Sequence, residues 1–235
     1  IMAAGTSTVD IDGGEFTINI VDASSSYLLD AQNTASYDIS GGEFTGGIRA
    51  QAGTNYNITG GTYTNEYGNY NVYPGGNIDI KGGTFVGDYA KTFAENNLAD
   101  GFICEQNADG TYGVVEGLAG EGTEENPYLI KSLTDLKFFR DAVNAGNNYT
   151  GKYIKVTAIE IDLNNEEWTP IGNSTNKFQG TFDGQNHTIS NLVINGGSSS
   201  DQGFFGMTRD GEIKNVIFEN AKVSGRLNVG VVAGT

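Results

Sequence analysis

The chain is poor in the residues that most often do chemistry or staple a small fold. Its 235 residues include one cysteine, one histidine, one tryptophan and three prolines. A lone Cys104 excludes an internal disulfide, and its setting in Phe102-Ile103-Cys104 reads as a small buried hydrophobe. One histidine, His187, beside one cysteine excludes a zinc site built from several such ligands. Scarce proline excludes collagen-like and polyproline architectures. No apolar run reaches the ~18 residues of a membrane-spanning helix. Basic residues are also few, with 13 Lys and Arg against 29 Asp and Glu and a net charge of −16. Nucleic acid is therefore not an expected partner, because its phosphates need clustered cations. No signal peptide is visible. The chain begins Ile1-Met2 and stops at Val232-Ala233-Gly234-Thr235, which reads as a segment of a longer protein with neighbouring domains.

What the chain has is glycine and aromatics: 35 Gly, 12 Tyr and 12 Phe. Glycine at about twice its ordinary ~7%, without proline, points to many tight turns with positive φ. The aromatics exclude a disordered chain, which would be short of them.

A repeat organises the first half. It reads Asp10-Ile11-Asp12-Gly13-Gly14-Glu15-Phe16, then Asp38-Ile39-Ser40-Gly41-Gly42-Glu43-Phe44. It returns as Asn57-Ile58-Thr59-Gly60-Gly61-Thr62-Tyr63 and Asp79-Ile80-Lys81-Gly82-Gly83-Thr84-Phe85. The Gly-Gly pairs are 28, 19 and 22 residues apart. Each copy alternates polar and apolar, turns at Gly-Gly, then offers an aromatic. A unit this short cannot bury its own apolar side, so copies must stack. The pattern predicts an all-β, right-handed parallel β-helix of the pectate-lyase-like solenoid kind, with Ile and the aromatic pointing inward. An antiparallel sandwich would space its strands more closely, at about 8–12 residues.

The repeat stops near Thr92. Residues 92–116, with turn signals at Asp100-Gly101 and Asp109-Gly110 and a last strand over Thr111–Val115, read as a terminal cap. Domain one is thus 1–116. Residues 117–131, Gly-rich and acidic before Pro127, read as a linker and leading strand. Ser132 followed by Asp135 forms a capping-box-like start. Leu133, Leu136, Phe139 and Val143 lie at helical spacing, and Gly146 suits a helix end. This is the one capping α-helix expected, opening a second helix-capped domain over 132–235 that is cut at its C-terminus. The two segments in series would make a rod.

In the second half an ordered motif series appears: Glu160-Ile161-Asp162-Leu163, Trp168-Thr169-Pro170-Ile171-Gly172, Phe178-Gln179-Gly180-Thr181-Phe182-Asp183-Gly184, Gly203-Phe204-Phe205-Gly206 and Val231-Val232-Ala233-Gly234. Over about 127–234 this resembles the GLUG-motif β-helix modules of bacterial surface and adhesion proteins. Two positions depart from that pattern. Glu160 stands where Asp is usual, and Phe204 where Leu is usual. Both preserve charge or apolarity. The first half resembles the GGTF-type repeats of surface proteins from gut bacteria. The resemblance implies a β-helical scaffold outside the cell, secreted or at the surface, and little about ligands.

Candidate chemistry is thin. A lyase needs a Ca²⁺-binding carboxylate cluster with an Arg or Lys base, and only Arg49, Arg140, Arg209 and Arg226 are present, Arg140 on the helix. A hydrolase needs two carboxylates about 5–9.5 Å apart. Asp10 with Asp12, or Glu160 with Asp162, share a strand face, as pairs do in any acidic β protein. The four Asn-X-Ser/Thr triplets, at Asn57, Asn148, Asn173 and Asn186, follow from the Asn-rich composition, and Asn in successive turns suits side-chain ladders. The binding candidates are Tyr67, Tyr70 and Tyr73, spaced by three in a Tyr/Asn/Gly stretch typical of adaptable surfaces, and Trp168 as a sugar-stacking ring. No cofactor is expected; Ca²⁺ on the acidic surface is the one metal considered. The leading expectation is a non-enzymatic adhesin or stalk meeting a host or glycan surface, without membrane insertion in this segment. The alternatives are a polysaccharide lyase or hydrolase fragment and a ligand-free spacer.

Overall fold

A computed structural model describes residues 1–17, 27–65 and 71–235, and shows a mostly β chain in two compact units, 1–116 and 117–235. The boundary falls where the first predicted domain ends. The acidic stretch after it belongs with the second unit. Leu118 is buried in that unit's core, and the Leu129 amide donates to the Ala119 carbonyl at 2.8 Å.

In the first unit the four repeat copies pair in parallel, in register on both sides of the Gly-Gly turn, with a register shift at the turn between the first two copies. Ile11, Ile39, Ile58 and Ile80 stand in register, as do Phe16, Phe44, Tyr63 and Phe85. The aromatic rings stack with centroids 5.2, 5.0 and 5.0 Å apart and planes within 14°. That spacing is close to the ~4.8 Å between neighbouring strands, so the ladder itself sets the ring stacking. Tyr37 and Tyr56 stack likewise at 4.8 Å. A second parallel sheet runs through Met2–Ala3, Leu29–Ala31, Ile48–Ala50 and Asn71–Val72, placing Ala3, Ala31 and Ala50 in line.

In the last three copies the two glycines of each pair are needed for different reasons. At the first, a Cβ would fall on the carbonyl oxygen of the copy below: 2.4 Å from Asp12 O at Gly41, 2.2 Å from Ser40 O at Gly60 and 2.3 Å from Thr59 O at Gly82. The second has positive φ, from +94° to +107°, and a Cβ there would press on the aromatic side chain two residues on at Gly14, Gly42 and Gly61, and on the Gly61 carbonyl and the Tyr63 ring at Gly83.

The first unit ends differently from the expectation of a single helix in the chain. Helix α1 (Asp88–Asn96) buries Ala90, Phe93 and Ala94, and its Phe93 ring lies 6.4 Å from that of Phe85, closing the aromatic column. An antiparallel hairpin, Phe102–Gln106 with Tyr112–Glu116, then joins the edge of the ladder at Thr84 and Phe85. Reversing the strand direction ends the parallel series. Cys104 is half-buried against this core, and burial raises its thiol pKa.

Helix α2 (Leu133–Ala145) lies near the start of the second unit. The Ser132 hydroxyl accepts from the Asp135 amide at 3.1 Å, and Gly146 ends the helix at φ +118°. Phe139 on its buried face meets Tyr149, Phe178, Phe182 and Phe205. Parallel strands flank the helix, Tyr128–Ile130 before it and Tyr153–Val156, Thr181–Ser190 and Glu212–Glu219 after it, with Ile154 and Phe182 buried in the core and the partly buried Ile213 in line with them. Glu160–Asp162 and Val193–Asn195 pair in the same sense with later strands. The segments at 203–205 and 229–233 form single bridges only, Phe205 to Ile171 and to Ala233, and Val229 to Gln202.

Candidate functional site

The first unit presents a trough of about 710 Å³ along the Gly-Gly pairs. Its floor is glycine backbone from all four copies, and from the second copy onward the backbone below leaves no room for a side chain at the first glycine. Its rim is the residue after each pair: Glu15, Glu43, Thr62 and Thr84, which stand in register. No Lys or Arg lines it, so it is a hydrogen-bonding strip that is acidic toward its first two rungs. The repeat gave the signal for this surface, since the rim residue follows each Gly-Gly directly.

The Tyr cluster is only partly placed. Tyr67 and Tyr70 lie outside the described residues. Tyr73 is 48% exposed, and its amide donates to the Ala50 carbonyl at 2.9 Å. It lies within electrostatic reach of Arg49. The Arg49 guanidinium donates from Nε to Asp30 Oδ1 at 2.8 Å, donates again to Oδ2, and sits 4.7 Å from the centre of the Tyr27 ring. Asp30 is buried. Burial alone would raise its pKa, but the bonds from Arg49 and Gln32 outweigh that and hold it below the usual value. Tyr37 and Tyr56 brace the pair from inside, their hydroxyls donating to the Asp30 and Arg49 carbonyls at 3.4 and 3.0 Å. Burial pushes the Tyr37 hydroxyl up to about 12. This anchor was not found in the sequence, since Asp30 and Arg49 are 19 residues apart in unrelated stretches.

Trp168 is corrected as a sugar-stacking platform. It is 3% exposed, its ring stacks on Phe204 at 5.2 Å, and its Nε1 donates to the Phe204 carbonyl at 3.1 Å. The Arg140 guanidinium lies 4.8 Å from its ring centre. Both faces are taken by the protein, so the ring packs the core instead of meeting solvent.

Of the carboxylates read as candidate acid and base groups, Asp10 and Asp12 are exposed, while Glu160 and Asp162 are engaged in fastening strands. Glu160 Oε1 accepts from Ser190 Oγ at 2.9 Å, and Asp162 Oδ1 accepts from Asn191 Nδ2 at 2.8 Å. The Asp-to-Asn link recurs. Asp183 Oδ1 accepts from Asn215 Nδ2 at 2.9 Å, Asp201 Oδ1 from Asn228 Nδ2 at 2.7 Å, and Asp38 Oδ1 from Asn57 Nδ2 at 3.2 Å. The expected Asn ladder is thus a set of Asp–Asn staples between successive rungs. His187 is half-buried, with no hydrogen-bond partner at Nδ1 among the described residues. Among the described residues, no three His, Cys, Asp or Glu side chains converge as a metal-holding group. A pocket of about 210 Å³ in the second unit lies over the outward ladder Lys155, Asp183 and Lys214, with Glu124 and Glu125 also lining it.

No known family profile and no solved structure matches the chain. Over 122 residues it is 38% identical to halomucin of Haloquadratum walsbyi, an alignment covering 50% of this chain and 1% of that protein. Over 99 residues it is 33% identical to a protein described as a Gly-rich membrane protein in Evansella cellulosilytica, covering 41% of this chain and 11% of that one. The chain spans a small fraction of the length of both relatives. Neither name refers to GLUG or GGTF repeats. No described helix is long and apolar enough to cross a membrane.

Proposed function

We propose that the chain is a stretch of a non-enzymatic bacterial surface protein, an adhesin or stalk, and that each unit is a length of right-handed parallel β-helix of the GLUG and GGTF kinds. The single observation behind this reading is the one-to-one register of the repeat copies, with isoleucine over isoleucine and ring over ring across four rungs. Such a ladder extends by adding copies, which suits a protein that must hold something at a distance. Similarity to segments of two far longer proteins, a halomucin and one described as a membrane protein, supports a surface or membrane-associated setting. The use of the acidic pairs as staples also favours a scaffold, because a staple carboxylate is already hydrogen-bonded in place. In this reading the partner is a host or glycan surface and the site of action is outside the cell.

The test has two arms. Antibody to this chain should label intact cells of the source organism, and protease applied to those cells should remove the label. The purified chain should bind members of a glycan array while releasing no reducing or unsaturated ends from polysaccharides. Turnover would make it a lyase or hydrolase instead, and neither binding nor turnover would leave a spacer. The reading needs no metal; a melting shift with Ca²⁺ that EDTA reverses would reveal one.

A further inference from the structure

We propose that the second unit holds a binding site for a single neutral sugar residue, in the pocket between the corners at 169–174 and 199–202. The proposal deepens the attachment reading and rests on it for the biological source of the sugar. The pocket measures about 320 Å³, within the range of small-molecule sites. Its lining combines hydroxyls (Ser174, Ser199), an amide (Asn173) and one carboxylate (Asp201) with the apolar surfaces of Pro170 and Met207.

That mixture selects the ligand class. Among the described residues no Lys, Arg or His lines the pocket, and the Arg226 side chain reaches only the Ser200 hydroxyl at 3.4 Å, so the charge on the lining itself is the Asp201 carboxylate, which disfavours an anionic ligand. A wholly apolar ligand would strand the hydroxyls and amide without partners. A hexose or N-acetylhexosamine carries both hydroxyl edges and C–H faces, and it satisfies both kinds of wall.

The site is built before any ligand arrives. The two corners sit on neighbouring rungs joined by the Ile171 to Phe205 bridge, with the Gly206 amide donating to the Ile171 carbonyl at 2.8 Å. Asn144 braces the first corner, donating to the Pro170 carbonyl at 3.0 Å and accepting from the Gly172 amide at 2.8 Å. Asn173 spends its Oδ1 on the amides of Thr175 and Asn176, both at 3.0 Å, leaving its Nδ2 donor with no partner among the described residues. Asp201 spends its Oδ1 on Asn228 and Thr235, each at 2.7 Å, leaving Oδ2 as an acceptor without one. A fixed donor on one corner and a fixed acceptor on the other suit a ligand with several hydroxyls.

The experiment titrates the whole chain with glucose, galactose, mannose and N-acetylglucosamine, with glucuronate as the charged control, following ligand-detected NMR. At least one neutral sugar should saturate with a Kd on the order of 1 mM, as ordinary ligand efficiency gives for so small a molecule. Glucuronate should bind at least tenfold more weakly. Ser174 is exposed and has no side-chain partner among the described residues. Ser174→Trp should therefore fill the pocket, abolish binding and leave the melting temperature unchanged. Asp201→Asn should weaken binding at least fivefold. If no neutral sugar binds, or if Ser174→Trp binds as the wild type does, the proposal is overturned. A glycan array that stays positive while Ser174→Trp has no effect leaves the attachment reading intact and moves the sugar elsewhere. An empty array removes both.

Discussion

One methyl group distinguishes positions that look identical in the repeat. A Cβ on Gly60 would lie 2.2 Å from the Ser40 carbonyl oxygen, whereas one on Gly13, in the first rung, meets nothing within 4 Å. Gly60→Ala should therefore cost about 2–4 kcal/mol, while Gly13→Ala should change stability by less than about 0.5 kcal/mol or raise it slightly. Urea unfolding of the two variants checks this, and equal losses would refute the steric account. The Asp–Asn staples make a second prediction at this scale. Asn191 and then the Asn164 amide hold Asp162 below the usual carboxylate pKa, and Asn228 and then Thr235 do the same for Asp201. For Asp183, burial works the other way but is outweighed by the Gln185 amide and Asn215. Each group takes its proton less readily folded than unfolded. Their stabilisation is therefore complete above the unfolded value of about 3.9 and is lost as pH falls through the lower folded values. Melting temperature should drop faster below about pH 4 in the wild type than in a variant carrying Asp162→Asn, Asp183→Asn and Asp201→Asn. Parallel curves would show that the staples carry no proton linkage. Both glycines of each pair were legible because they recur with the repeat. The staples were not, since their partners stand 29, 32 and 27 residues apart with no local pattern to join them.

Among elements, the aromatic column of Phe16, Phe44, Tyr63 and Phe85 is the spine of the first unit. Phe44 is 2% exposed and stacked on both sides. Phe44→Ala should cost about 3–5 kcal/mol, and the terminal Phe16→Ala clearly less, because Phe16 is only partly buried and stacks on one described ring. Calorimetry on both would decide; a larger loss at Phe16 would contradict the stacking order. Helix α2 was legible because its start, stop and buried stripe all agree. Helix α1 was not: it spans nine residues, its N-cap is Gly87 with no side-chain bond, and its buried face is Ala90, Phe93 and Ala94. Two alanines and one ring leave too faint a stripe, and packing on Phe85 supplies what intrinsic propensity lacks. Trp168 shows the opposite limit, a residue whose type was plain but whose burial depended on Phe204 and Arg140 arriving from distant stretches.

For the whole molecule, the two hydrophobic cores share no residue, and the chain passes from one unit to the other between Glu116 and Gly117. Expressed separately, 1–116 and 117–235 should each unfold in a cooperative transition followed by circular dichroism. A fragment that stays unstructured would show that its unit depends on the other. This division was legible in the sequence because the closing segment after the repeat ends, and a charged, glycine-rich stretch begins, there. That stretch was less legible as part of the second unit, since its one buried large side chain is Leu118, between Gly117 and Ala119, too short an apolar run to show as an element.

The copies differ in length, yet Ile11, Ile39, Ile58 and Ile80 stay aligned. Registry is therefore indifferent to how much chain joins one rung to the next, so segments between rungs can lengthen, shorten or be exchanged without disturbing the interior. A protein made this way separates its grammar from its vocabulary: the ladder dictates where an inserted peptide is displayed, and leaves open what that peptide says.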